Sequence, residues 1–336
     1  MKLFMLTFQK AYKIRLSGSE KYQEISISFG EYNYRKRGTY MPVHDDLGVR
    51  MKTFYEKIPK TKLMRRCPVA IRIDGKAFHT FTRGFQKPFD EVLIKSMQET
   101  MKYLCENIQG CVLGYTQSDE ITLILVDYKK LKSSAWFDYE VQKICSITAS
   151  MATMAFNRIF AEKVKEFIYN DGENYENNSE EYRLCSVYKN AVIKGAMFDA
   201  RCFNIPKEEV TNLCYWRQDD ASRNSIQMVG QANFSHKELH KKSRNDIQDM
   251  LMTQKGINWN DFPTYQKRGS CCVKREFWID KNDGEEFSKE YSEALDRTAI
   301  NENAIKRTKW IIDTEIPIFK SEGREYIDRL VFVGEK

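Results

Sequence analysis

Two apolar runs that each lead to an aspartate constrain this chain more than any other feature. Val69-Ala-Ile-Arg-Ile-Asp74-Gly75 is rich in β-branched residues and closes on Asp-Gly, so it reads as a strand whose last side chain meets solvent. Gly114-Tyr-Thr-Gln-Ser118-Asp119-Glu120-Ile-Thr-Leu-Ile-Leu-Val126 reads as a β-hairpin with acids at its tip. If these strands are neighbours, the carboxylates of Asp74 and Asp119 converge at one sheet end. Oxygen ligands are supplied to a pair of Mg²⁺ ions in this way.

The segments between the runs fit one sheet. After the loop Arg83-Gly-Phe-Gln-Lys-Pro-Phe-Asp90, apolar residues recur at Leu93, Met97, Met101, Leu104 and Ile108 and line one face of a helix. Asp90 suits its N-cap, Glu91 its positive first turn and Gly110 its exit. A second helix spans about 138–168, with Ile144, Ile147, Met151 and Met154 on its buried side. Ala149, Ser150, Ala152 and Ala155 allow that helix to pack closely on a sheet. The acidic, Asn-rich stretch 170–181 reads as a loop, and Ala196–Asn204 as a strand. The order β-α-β-β-α-β predicts an α+β fold, a ferredoxin-like antiparallel sheet with two helices on one face. Many functions use that order. Acids at its strand ends narrow it to something like a polymerase or cyclase palm.

Outside 68–204 the pattern is weaker. Residues 1–50 mix alternating stretches such as Glu24-Ile-Ser-Ile-Ser-Phe29 with the basic cluster Arg35-Lys-Arg37; a hairpin appendage, a flexible arm and a misassigned start all fit. Segments 207–232 and 236–254 read as helices, Trp259–Gly269 as a loop, 285–297 as a helix and Leu330–Val333 as a last strand. The expected division is an N-terminal extension over 1–50, a catalytic palm with its binding helices over 51–275 and a C-terminal extension over 276–336. The 336 residues carry a net charge of +7, which admits a polyanionic partner and equally a solvated basic surface. Nine cysteines without a Cys-x-x-Cys pair predict free thiols in a reducing compartment, so a cytoplasmic protein is expected. No apolar run is read as transmembrane and no membrane partner is expected.

Phosphoryl transfer needs charge neutralisation and positioning more than covalent chemistry. Asp74 and Asp119 would bridge two Mg²⁺ ions, and the Gly75 carbonyl could add a ligand because no Cβ blocks the approach. Glu120, one residue along the strand, is expected on the opposite face. Lys87, Lys143 and Arg201 are placed where each could meet a triphosphate, or serve as solvated surface charges. There is no Walker A loop, no Gly-x-Gly-x-x-Gly and no His-Glu-x-x-His. His236 and His240 share a helix face without a third metal ligand. Tyr215-Trp216-Arg217-Gln218-Asp219 has the aromatic and basic character of a nucleic-acid surface, and also of a helix core with a polar rim.

Taken in order, these runs resemble the tRNA(His) guanylyltransferase family of 3′-to-5′ nucleotide polymerases. The matching segments are Arg72-Ile-Asp-Gly-Lys-Ala-Phe-His79, Lys87-Pro-Phe-Asp90, Tyr115-Thr-Gln-Ser-Asp-Glu120, Phe198-Asp-Ala-Arg201, Tyr215-Trp-Arg-Gln-Asp219 and Tyr265-Gln-Lys-Arg-Gly269. The resemblance implies a polymerase-like palm that extends tRNA at its 5′ end. The 5′ phosphate is first activated with ATP or GTP, then attacked by the 3′-hydroxyl of an incoming nucleoside triphosphate. It implies Mg²⁺ at Asp74, Gly75 and Asp119, catalytic roles for Asp74, Asp119 and Glu120, and nucleotide contacts from His79, Lys87, Ser118, Lys143, Arg201 and Asn224. Trp216, Arg217, Lys267 and Arg268 are expected to face RNA, and a homotetramer is expected. Where the eukaryotic branch has His-Ile-Asn-Asn, this chain has Ser222-Arg223-Asn224-Ser225. That departure is more similar to the bacterial and archaeal-like branch, which implies template-directed repair of tRNA 5′ ends beside or instead of guanylate addition to tRNA(His). A nucleotide cyclase with a related palm and a non-enzymatic RNA-binding module are the alternative readings.

Overall fold

A computed structural model describes residues 10–15, 22–27, 45–171, 179–280, 286–287 and 304–334. The chain divides into two compact units, Met1–Ile58 and Pro59–Lys336. In the first, β1 (Lys10–Arg15) pairs antiparallel with β2 (Tyr22–Ile27), and α1 (Asp46–Met51) follows. Asp45 caps α1 by accepting the Gly48 N–H at 2.8 Å.

The second unit is built on the predicted repeat. Strand β3 (Val69–Gly75) leads through the short α2 (Phe78–Phe81) to α3 (Glu91–Asn107). The hairpin β4 (Cys111–Gln117) and β5 (Glu120–Leu125) precedes α4 (Val141–Asp171), α5 (Glu180–Lys194) and β6 (Phe198–Asn204). The strands lie in the order β6-β3-β5-β4, every neighbour antiparallel, which is the ferredoxin-like arrangement. Alternation along each strand then separates two faces. Val69, Ile71, Ile73, Ile121, Leu123 and Leu125 pack with Met97, Met101 and Leu104 of α3 and Phe156 and Phe160 of α4. Asp90 caps α3 as expected, accepting the Leu93 and Gln86 N–H groups at 2.9 Å each, and the Tyr188 hydroxyl donates to it at 2.6 Å.

The additions close the opposite face. Helix α6 (Lys207–Asn233) lays Val210 and Cys214 over Ala70, Leu113 and Ile124. The short α7 (His236–Leu239), α8 (Arg244–Lys255) and α9 (Thr264–Arg268) lead to β7 (Ser270–Asp280), which pairs with the free edge of β4. Beyond the two-residue β8 (Glu286–Phe287), β9 (Ala304–Asp313) pairs along β7, so the tail extends the same sheet. The chain then turns into α10 (Glu325–Val331).

Three readings change, and a fourth falls largely outside the described residues. The stretch expected as a last strand at Leu330–Val333 begins as the end of α10, because Ile327 and Val331, one helical turn apart, are both fully buried. Helix α5 follows the acidic stretch read as loop, started by Ser179, whose side chain accepts the Tyr182 N–H at 3.2 Å. The helix expected over 285–297 lies largely outside the described residues; Glu286 and Phe287 are in β8. Residues Val141–Tyr169 of α4 are long and apolar enough to cross a membrane, contrary to the sequence reading. Their Ala152, Ala155, Phe156 and Phe160 are buried in this unit, and Phe156 and Phe160 pack in the core between α4 and the sheet.

Candidate active site

The end of β3 and the tip of the β4–β5 hairpin are joined by backbone. The Gly75 N–H donates to the Asp119 carbonyl at 3.1 Å, so the two aspartates are held at one sheet end, as the two runs predict. Ser118 makes the turn possible with φ +50°. Gly75 is needed for a reason other than the one expected. A Cβ there would sit 2.2 Å from the Phe78 ring. That ring is fixed among Phe81, Phe156 and Phe198 at centroid distances of 5.1, 5.6 and 5.2 Å.

Both carboxylates sit above the usual aspartate range. Burial is the main cause for each. Asp119 also feels the charge of Asp74 and Glu120, partly offset by the Ser118 hydroxyl. Asp74 also feels Glu120 and Asp199, partly offset by Arg201 and Arg72. A divalent cation would relieve this crowding, and carboxylate and carbonyl oxygens are the donors a hard cation prefers. Among the described residues no group of three or more His, Cys, Asp or Glu is placed to hold a metal ion. Asp74 and Asp119 offer two carboxylates and Gly75 a carbonyl, so a Mg²⁺ ion there would keep waters and share substrate phosphates instead of filling an all-protein cage.

Asp119, Ser118 and Gly75 open onto a cavity of about 480 Å³. His79 of α2 and Lys87 of the following loop line it, so the structure brings these predicted residues together. Met228 and Gln231 of α6 complete the opposite side and were not expected. Their spacing from Asn224 is helical, four and then three residues, which is the signal that could have found them. Asn224 itself is exposed on α6. Arg201 is on β6, bonded to Asp199 at 2.9 Å, on the face that carries Asp74.

Other predicted residues are placed elsewhere. Lys143 is in the first turn of α4, where Cys145 Sγ lies 3.6 Å from Cys202 Sγ, whereas Thr153, ten residues on, accepts the Phe198 N–H beside the Asp74 end. Ten helical residues span about 15 Å, so Lys143 belongs to the far end of the sheet. Glu120 is opposite Asp74 in register and so shares its face, contrary to expectation. It is buried, and both its oxygens are occupied. Arg217 donates from Nε at 2.7 Å and from Nη2 at 2.8 Å, and Arg72 donates at 2.9 Å. That pairing ties the hairpin tip to α6 through Arg217 and to β3 through Arg72. It also removes Arg217 from the RNA-facing set, since its side chain is only 8% exposed. Lys267 is likewise buried, donating to the Asn260 carbonyl beside the Trp259 ring, with burial lowering its pKa. Arg268 is half-buried, and its carbonyl accepts the Tyr115 hydroxyl at 2.6 Å. Trp216 remains half exposed.

The Tyr265-Gln-Lys-Arg-Gly269 segment thus ties elements together. Tyr265 and Gln266 donate to Glu91 at the start of α3, at 3.1 and 2.7 Å. Gly269 has φ +84° and ψ −170°, a region essentially reserved for glycine. A Cβ there would also lie 2.3 Å from the Thr116 carbonyl oxygen. Gly269→Ala should therefore destabilise the unit by about 3 kcal/mol, the upper end for such backbone strain. Chemical denaturation checks this, and an unchanged midpoint would contradict it.

A family model described as tRNAHis guanylyltransferase matches residues 48–206. The solved structure of a bacterial tRNA(His) guanylyltransferase (Thg1)-like protein in complex with ATP is 41% identical, covers 86% of this chain and all of its own, and superimposes with a TM-score of 0.65. A second such structure, in complex with GTP, is 37% identical with the same coverage and a TM-score of 0.62. The tRNA(His) guanylyltransferase of Saccharomyces cerevisiae is 25% identical over 227 residues, 63% of this chain and 85% of that protein. The higher identity to the bacterial proteins agrees with the loss of all but Asn224 from the eukaryotic His-Ile-Asn-Asn pattern. By these matches, and by the paired aspartates at one end of a palm-like sheet, the chain belongs to the tRNA(His) guanylyltransferase family, on its bacterial-like side.

Proposed function

We propose that this chain is a Mg²⁺-dependent nucleotidyltransferase that adds nucleotides to the 5′ end of tRNA in the 3′-to-5′ direction. The observation that carries this reading is the meeting of Asp74 and Asp119 beside a cavity lined by His79 and Lys87. Asp74, Asp119 and the Gly75 carbonyl would hold the metal. When bound, Mg²⁺ neutralises phosphate charge and lowers the pKa of an attacking hydroxyl. Lys87 supplies positive charge to a triphosphate in the cavity, and His79 and Ser118 supply hydrogen-bonding groups at its mouth. Asp90 keeps that loop in place by accepting the Gln86 N–H. ATP and GTP are the expected activating nucleotides, since the bacterial relatives were solved with each. The enzyme is expected to work as a homotetramer. A cytoplasmic setting is supported by nine cysteines that form no disulfide.

Template-directed repair is favoured over strict guanylate addition by the bacterial-like match and by Ser222-Arg223-Asn224-Ser225. The test compares intact tRNA(His) with several tRNAs lacking their first nucleotide, supplied with ATP, all four nucleotides and Mg²⁺. Extension of the truncated tRNAs by the nucleotide complementary to the opposite strand is expected. Extension of tRNA(His) alone would overturn the repair reading, and no extension of any tRNA would overturn the activity.

A further inference from the structure

The two aspartates meet at one sheet end but border different spaces. Asp119 lines the cavity with His79 and Lys87. Asp74 does not line it; its register partners Glu120 and Asp199 place it on the sheet face that also carries Arg72 and Arg201. Helix α6 covers this face over Ala70, Leu113 and Ile124, yet the side chains of Arg201 and Asp199 on β6 stay 55% and 59% exposed. The result is an open shelf that ends at Asp74.

Trp216 stands on α6 at the border of that shelf and is 50% exposed. Its ring is held on two guanidiniums, with Arg72 Cζ at 5.5 Å and Arg217 Cζ at 4.6 Å from the centroid. Both guanidiniums are bonded to the buried Glu120 carboxylate. Two guanidiniums paired with Glu120 thus back the large indole, while half of it is left to water. A rigid exposed aromatic beside arginines matches the two needs of a single-stranded nucleic-acid end, a π-face for a base and positive charge for a phosphate.

We propose that Trp216 is the stacking platform for the 5′-terminal base of the RNA, and that Arg201, in register with Arg72, receives that nucleotide's phosphate. The RNA end then lies on the open sheet face, and the nucleoside triphosphate enters from the cavity on the other side of the aspartate pair. Asp74 faces the first substrate and Asp119 the second. This assignment rests on the reading of the chain as an RNA 5′-end nucleotidyltransferase.

The test uses the full chain and a tRNA lacking its first nucleotide, with a 5′-triphosphate and 2-aminopurine as its 5′-terminal base. Without free nucleotide, binding to wild type and to Trp216→Phe should quench the 2-aminopurine fluorescence, and binding to Trp216→Leu should not. In extension assays Trp216→Leu should raise KM for this RNA roughly tenfold, as for loss of one base–aromatic stack, and leave the Kd for ATP unchanged. Quenching that persists in Trp216→Leu, or a loss of ATP affinity without a change for RNA, overturns the assignment. Arg201→Gln gives a second arm at an exposed position: the salt dependence of RNA binding should fall by about one charge. An unchanged salt dependence overturns the phosphate contact. Absence of wild-type extension would count against the proposed activity alone, because the fluorescence readout needs no turnover.

Discussion

Asp119→Asn should abolish nucleotide addition and, in the presence of a chelator, raise the thermal midpoint. Outer partners of metal ligands typically contribute about 10–100-fold to activity, so loss of a carboxylate proposed to hold the ion should cost more than a hundredfold. The stability gain follows from the sign of the shift. Burial, with the charge of Asp74, raises the Asp119 carboxyl above its ordinary value. The folded state therefore holds the proton more tightly than the unfolded chain. The contribution of this group stabilises the fold in acid and is lost as pH rises through the raised value. Once pH exceeds that raised value the metal-free protein bears a buried charge, and asparagine removes it. The gain should shrink as pH falls toward the ordinary aspartate range. Melting curves in chelator between neutral and mildly acidic pH check this. A destabilised Asp119→Asn protein at neutral pH would mean that the charge is already compensated within the chain.

Arg217→Ala should destabilise the unit as strongly as Gly269→Ala. Glu120 is 5% exposed and accepts two parallel bonds from Arg217. Removing one partner of a buried pair costs about 3–5 kcal/mol, because the other charge is left without its counter-ion. Arg72 remains bonded to Glu120, which points to the lower figure. About 3 kcal/mol in a unit of this size lowers the midpoint by roughly 5 °C. Arg217→Lys should fall between, since an ammonium keeps the charge and loses the planar two-pronged contact. Activity should fall along the same series, because Glu120 adjoins Asp119 and anchors the hairpin tip to α6. Equal midpoints for wild type and Arg217→Ala would show that Arg72 alone satisfies Glu120.

The central repeat was legible because its periods are local. Met97, Met101 and Leu104 sit on one helix face whatever they pack against, and Asp90 caps its helix through bonds to residues within four positions. The tail was less legible. Strands β7 and β9 are separated by more than twenty residues and pair through backbone groups, which leave little periodic trace. Leu330–Val333 reads as a strand because four apolar residues fit either period, yet its first two residues end α10.

The sequence by itself determined the two acid-ended strands, the helix between them and the family resemblance, since these depend on residue type and short spacing. Only the tertiary structure decided which charges are available. Lys87 and Lys143 are alike as residues, yet one lines the cavity and the other lies in the first turn of α4, at the far end of the sheet. Trp216 and Arg217 are adjacent, yet one faces solvent and the other is locked under the sheet by Glu120. Successive residues on a helix point about 100° apart, so burial can change completely from one residue to the next. Only the packing of α6 on the sheet fixes which of the two is spent in the core.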